Sequence, residues 1–274
     1  MTDASVESDY DVQAAPGRPV AEIVAEWLAA SQQAAAMAHD VITVCYDEHN
    51  GLAYDIYLPP GRPRGAVMFF HGGFWVQGSK EVVAFPLLGF APANICYVAV
   101  TYGLSPRYSL KEMMTNVERA AVSFASRAPS LGIDLEKIAL AGHSAGAFLA
   151  AALAKSPRQA FQPIGNLLIS GLFNLRPVRH LERIRSLKLR QSEAVRHSIT
   201  GQQLVGKGQS ILAVGDRESP GFRRQTDDLY RELLAADASP RYFVMPGDDH
   251  FSIARALGDP ASTLVAETCR LFEK

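Results

Sequence analysis

The chain has 274 residues, 48% of them hydrophobic, with 27 basic against 28 acidic side chains and a formal net charge of −1. That length can bury a sizeable core as one domain, and the near-neutral balance gives no electrostatic case for nucleic acid or an anionic membrane surface. The acidic start MTDASVESDYDV has no apolar signal core and no later stretch approaches the roughly 18 apolar residues of a membrane span, so a cytoplasmic protein acting on a small molecule is expected, a homodimer being compatible with this reading.

Residues 1 to 20 read as an irregular, partly mobile leader, and VAEIVAEWLAASQQAAAMA then has the apolar spacing and alanine content of a helix, so that leader and helix together occupy 1–40. VITVCYD and LAYDIYLP are strand-like runs joined by EHNG, whose Asn-Gly pair signals a hairpin. Six further apolar runs follow: GAVMFFH, ICYVAVTY, KIALAG, NLLIS, SILAVG and RYFVM, most of them separated by stretches that can hold a helix. Fully apolar strands alternating with helices describe a parallel sheet covered on both faces. The expected fold is a single α/β domain over 1–274 with about eight strands, mostly parallel. Cys45, Cys96 and Cys269 lack metal-site or disulfide spacing and read as buried small hydrophobes.

Between NLLIS and SILAVG the connection, about 172–208, is too long for a simple crossover and is expected to form helices over the carboxyl edge of the sheet. Its Arg176, Arg179, Arg183, Arg185, Lys188 and Arg190 read as a solvated helix face in preference to an anchor for an anionic substrate.

KIALAGHSAGAFLAAAL reads as strand, sharp turn and helix, the context of a G-x-S-x-G nucleophile elbow, with Ser144 at the turn. Gly142 and Gly146 suit a place where the helix passes close to the strand. A serine needs a base held in one tautomer by an acid, and in this architecture the chain order is serine, acid, histidine. Of the downstream histidines, His180 and His197 fall in the helical insertion, and only His250 follows a strand, in RYFVMPGDDHFSI. His143, inside the elbow, is expected to point away from the reacting centre. The loop after SILAVG offers Asp216 and Glu218; Glu218 is favoured because it lies three residues past the strand-ending Gly215, and Asp216 remains the alternative. VMFFHGGFW ends a strand in His-Gly-Gly, so the oxyanion hole is assigned to the amides of Gly73, Phe74 and Ala145, with His71 orienting that loop.

With these residues in place the chain resembles the α/β-hydrolase superfamily, and within it the kynurenine formamidase (arylformamidase) branch, close to the hormone-sensitive-lipase-like esterases. The resemblance rests on HGGFW, YGLSP at 102–106, GHSAG, SGLFNLRPV at 170–178, ESPGFRRQ at 218–225 and DHFSI at 249–253. Asn174 stands where the family often has Asp. The resemblance also places the acid before Ser-Pro, which favours Glu218. It implies a serine hydrolase without metal or cofactor that cleaves a small acyl group from an aryl amine, N-formyl-L-kynurenine first, giving kynurenine and formate in tryptophan catabolism. Phe74, Trp75 and Phe251 would line an aromatic pocket. The alternatives are a carboxylesterase or N-acyl arylamine amidase with a larger acyl pocket, and a non-catalytic binder of a small ligand.

Overall fold

The computed structural model describes residues 3–158 and 160–273. Eight strands form one sheet: β1 (Asp40–Asp47), β2 (Leu52–Leu58), β3 (Gly65–Phe70), β4 (Ile95–Val100), β5 (Ile138–His143), β6 (Gly165–Ile169), β7 (Gln209–Gly215) and β8 (Arg241–Met245), in the order β1-β2-β4-β3-β5-β6-β7-β8. The hairpin read from Asn50-Gly51 forms, so β2 runs antiparallel to both β1 and β4, while the pairings from β4 to β8 are all parallel.

The continuous apolar runs have their cause in this order. Strands β3 to β6 are buried along their whole length, with successive side chains entering opposite faces. Met68, Phe70, Leu140 and Leu168 enter one core, and Val67, Phe69, Ala139, Ala141 and Leu167 the other. The helix Leu110–Arg127, started by a Ser109–Glu112 capping box, lays Met113, Val117, Ala120 and Phe124 on the first core. Edge strand β8 keeps a mixed, partly exposed pattern. Among the described residues no helix is long and apolar enough to cross a membrane.

Two expectations are corrected. The first 20 residues are not irregular throughout: α1 (Asp3–Asp9) is helical, and Val6, Tyr10 and Val12 are buried. Tyr10 meets Phe222 edge-on at 5.5 Å and accepts a hydrogen bond from Gln225 at 2.8 Å, so the leader is held against the helix Pro220–Ala235. Apolar residues at 6, 10 and 12 are too few to reveal that docking by period. Of the cysteines only Cys96 is buried; Cys45 is exposed because it sits on edge strand β1, and Cys269 is half-buried.

The connection between β6 and β7 consists of short helical pieces, Leu175–Val178, Glu182–Leu187, Gln191–His197 and Gly201–Leu204. Buried Leu175, Val178, Leu181, Ile184 and Leu204 hold it down. Buried Gln225 clamps its start, accepting from the Asn174 amide at 2.6 Å and donating to the Asn174 carbonyl at 2.9 Å. The asparagine that departs from the family pattern caps the first of these helices.

Candidate active site

Ser144 lies between β5 and the helix Ala145–Lys155 at φ 56°, ψ −121°, a conformation that costs a non-glycine residue of order 1–3 kcal/mol. Its amide donates to the Ile169 carbonyl at 2.8 Å, which ties the strained turn to β6. The flanking glycines answer to close approaches: a Cβ on Gly142 would stand 2.3 Å from the Gly146 carbonyl oxygen, and one on Gly146 would stand 1.9 Å from that of Phe70. The hydroxyl is buried and, among the described residues, has no hydrogen-bond partner. It is held at the amino end of an 11-residue helix, where the backbone field favours developing negative charge.

His250 follows β8 and donates from Nδ1 to Glu218 Oε2 at 2.6 Å. That bond leaves Nε2 as the basic nitrogen of the neutral ring. The other carboxylate oxygen of Glu218 accepts from the Gly215 amide at 2.8 Å and from the Ser170 hydroxyl, so the acid is buried but satisfied. Asp216, the alternative, is exposed and accepts from the Gly247 amide at 2.8 Å. Of the two, Glu218 faces the histidine. The His250 ring lies between Phe222, 4.1 Å away, and His143, 4.5 Å away. His143 therefore does not point away from the centre as expected; the turn after β5 brings its ring against His250.

After β3 the chain runs through Gly73, Phe74 and Trp75 with φ of 110°, 52° and 62°. At Gly73 a Cβ would meet the Gln77 carbonyl at 2.1 Å. No protein acceptor among the described residues bonds the amides of Gly73, Phe74 or Ala145. His71 steadies the loop: its Nδ1 donates to the Gly72 carbonyl at 2.7 Å, while Tyr102 stacks on the ring and donates to the His71 carbonyl at 2.9 Å.

Ser144, His250, Gly73 and Phe74 border one cavity of about 690 Å³, within the range of small-molecule sites. Phe251 lines it; Trp75 does not. The indole is fully buried, edge-on to Phe148 at 5.5 Å, because the left-handed turn sends it into the core while Phe74 faces the cavity. The lining also includes residues that the sequence did not assign to the site: Val20, Val24 and Trp27 of α2 (Val20–Met37), Val12 of the leader, and Arg183 of the insertion. The spacing of Val20, Val24 and Trp27 marks a helix face, but nothing local says what that face covers.

Burial brings the His71 imidazole down to about 4, and burial followed by repulsion from His250 holds His143 well below the ordinary range. A depressed histidine stabilises the fold above its unfolded pKa near 6.5, and that stability is lost as pH falls from there to the folded value. Wild type is thus expected to lose on the order of 3 kcal/mol through His71 alone between about pH 6.5 and 4. Urea midpoints at pH 7.5 and 5 for wild type and His71→Asn measure this; equal acid losses in both proteins would contradict it.

Kynurenine formamidase of Salmo salar is 29% identical over 243 residues, covering 84% of this chain and 81% of that protein. A solved structure from Silicibacter sp. TM1040 superposes with a TM-score of 0.82 at 25% identity over 94% of this chain and 96% of that one. A hyperthermophilic esterase from Pyrobaculum calidifontis does so with 0.76 at 18% identity, over 99% and 96%. The family model for the alpha/beta hydrolase fold matches residues 67–251, and the eight-stranded sheet agrees with it: the chain belongs to the alpha/beta hydrolase fold family.

Proposed function

We propose that the protein is a serine hydrolase that removes a small acyl group from an aryl amine, with N-formyl-L-kynurenine as the leading substrate. The observation that carries the reaction class is the hydroxyl of Ser144, without a hydrogen-bond partner among the described residues, held on a strained turn in the same cavity as a histidine whose far nitrogen is bound to a buried carboxylate. The similarity to kynurenine formamidase over most of both chains supports the substrate class.

In this reading Ser144 Oγ attacks the formyl carbon while His250 Nε2 takes the hydroxyl proton. The amides of Gly73, Phe74 and Ala145 receive the oxyanion, and Glu218 holds the imidazolium. His250 then passes the proton to the aniline nitrogen as the carbon–nitrogen bond breaks, leaving a formyl ester on Ser144. Water attacks that ester with His250 again as base, formate leaves, and the proton returns to the serine oxygen.

An apolar wall built from Val20, Val24 and Trp27 in a cavity of about 690 Å³ favours the second reading, an esterase or amidase for longer acyl groups. Specificity constants for N-formylkynurenine and for N-acetyl and N-octanoyl aryl amides separate the two. The formyl compound is expected to lead by about tenfold or more, the discrimination that a few buried methylenes supply. Rates that rise with acyl length would reject the formamidase reading in favour of the second.

A further inference from the structure

Arg183 stands apart from the other basic residues of the insertion. Arg185 pairs with Glu182 at 2.9 Å and Arg190 with Glu193 at 3.0 Å, both on the surface. Arg183 is half-buried, and no carboxylate among the described residues forms an ion pair with it. Its guanidinium sits 4.7 Å from the centroid of Phe74, and it lines the cavity that holds Ser144 and His250. Among the described residues on that wall it is the one permanently charged side chain, since the remainder are apolar, amide, hydroxyl, glycine or histidine.

A lone guanidinium in a mostly apolar pocket is an unbalanced charge, and the aromatic face of Phe74 offsets it only in part. Its planar fork of donors matches the two oxygens of a carboxylate. Phe74 also holds the guanidinium on the lining of the cavity that Ser144 borders, so one ligand can present a carboxylate to Arg183 and an acyl carbon to Ser144.

We infer that Arg183 forms a carboxylate-binding subsite, so that the protein selects substrates that carry one negative charge beyond the aromatic ring of the leaving group. This rests on the hydrolase reading for its orientation, since the acyl carbon must reach Ser144 while the carboxylate reaches Arg183. It separates this pocket from one that takes neutral esters. A solvated role for Arg183, expected from sequence, gives way because the segment Glu182–Leu187 turns it inward between buried Leu181 and Ile184.

The test uses a matched pair of ligands, 4-(2-aminophenyl)-4-oxobutanoate and its neutral carboxamide, titrated calorimetrically into the full-length wild type, Arg183→Met and Arg183→Lys. Wild type should bind the carboxylate about tenfold to a hundredfold more tightly than the amide, the range of a hydrogen bond to a charged group. Arg183→Met should bring that ratio near one, and Arg183→Lys should retain part of it. Added salt should weaken the carboxylate alone. A wild-type ratio near one, a ratio that Arg183→Met leaves unaltered, or no binding of either ligand at millimolar concentration would overturn the subsite. Turnover of N-formylkynurenine by wild type reports separately on the formamidase reading, so the two can fail independently.

Discussion

Ser144→Ala is expected to lower turnover by roughly 10⁴- to 10⁶-fold, the loss typical of removing the nucleophile of a serine–histidine–acid set. Its fold should be intact, because the hydroxyl bonds nothing among the described residues and the amide that anchors the turn to Ile169 remains. Ser144→Gly makes a second, separable statement. Glycine adopts φ 56°, ψ −121° without a Cβ clash, so relief of strain should exceed the added chain entropy and leave this variant about 1 kcal/mol more stable than Ser144→Ala. Turnover of 4-nitrophenyl acetate and urea midpoints on the three proteins check both parts. A folded Ser144→Ala with near-normal turnover would remove Ser144 from the reaction. Equal midpoints for the alanine and glycine variants would show that the turn stores no strain.

The second large effect concerns the acid. In Glu218→Gln the amide oxygen would still accept from the Gly215 amide and Ser170, which turns the amide nitrogen toward His250. Its protons can only be donated, so Nδ1 must become the acceptor and the ring proton moves to Nε2, where the base is needed. A fall of about 10³- to 10⁴-fold in turnover is therefore expected, with the fold retained. Asp216→Asn keeps an oxygen for the Gly247 amide and touches nothing in the cavity, so its activity should stay within about twofold of wild type. Steady-state rates of both variants on one substrate decide the matter. A larger loss in Asp216→Asn than in Glu218→Gln would reverse the two roles.

The eight strands and the elbow were legible in the sequence because each leaves a local trace. A strand buried on both faces must be apolar at every position, and runs such as GAVMFF and ICYVAV show this directly. The elbow needs glycine on both sides of Ser144 because carbonyl oxygens come within 2.3 Å of where either Cβ would stand. Ser144, Glu218 and His250 follow β5, β7 and β8, and the parallel pairing of these strands puts the loops after them at one edge of the sheet.

What the tertiary structure decided has no such trace. Phe74 and Trp75 are adjacent aromatics in a left-handed stretch, where neither the strand period of two nor the helical 3.6 says which one faces the core. Trp27 and Arg183 come to the cavity from segments 156 residues apart in the chain, and each looked like an ordinary helix-face residue. Composition and periodicity determine which side chains leave water; which cavity they border depends on long-range packing, because the same burial free energy is obtained against any apolar surface.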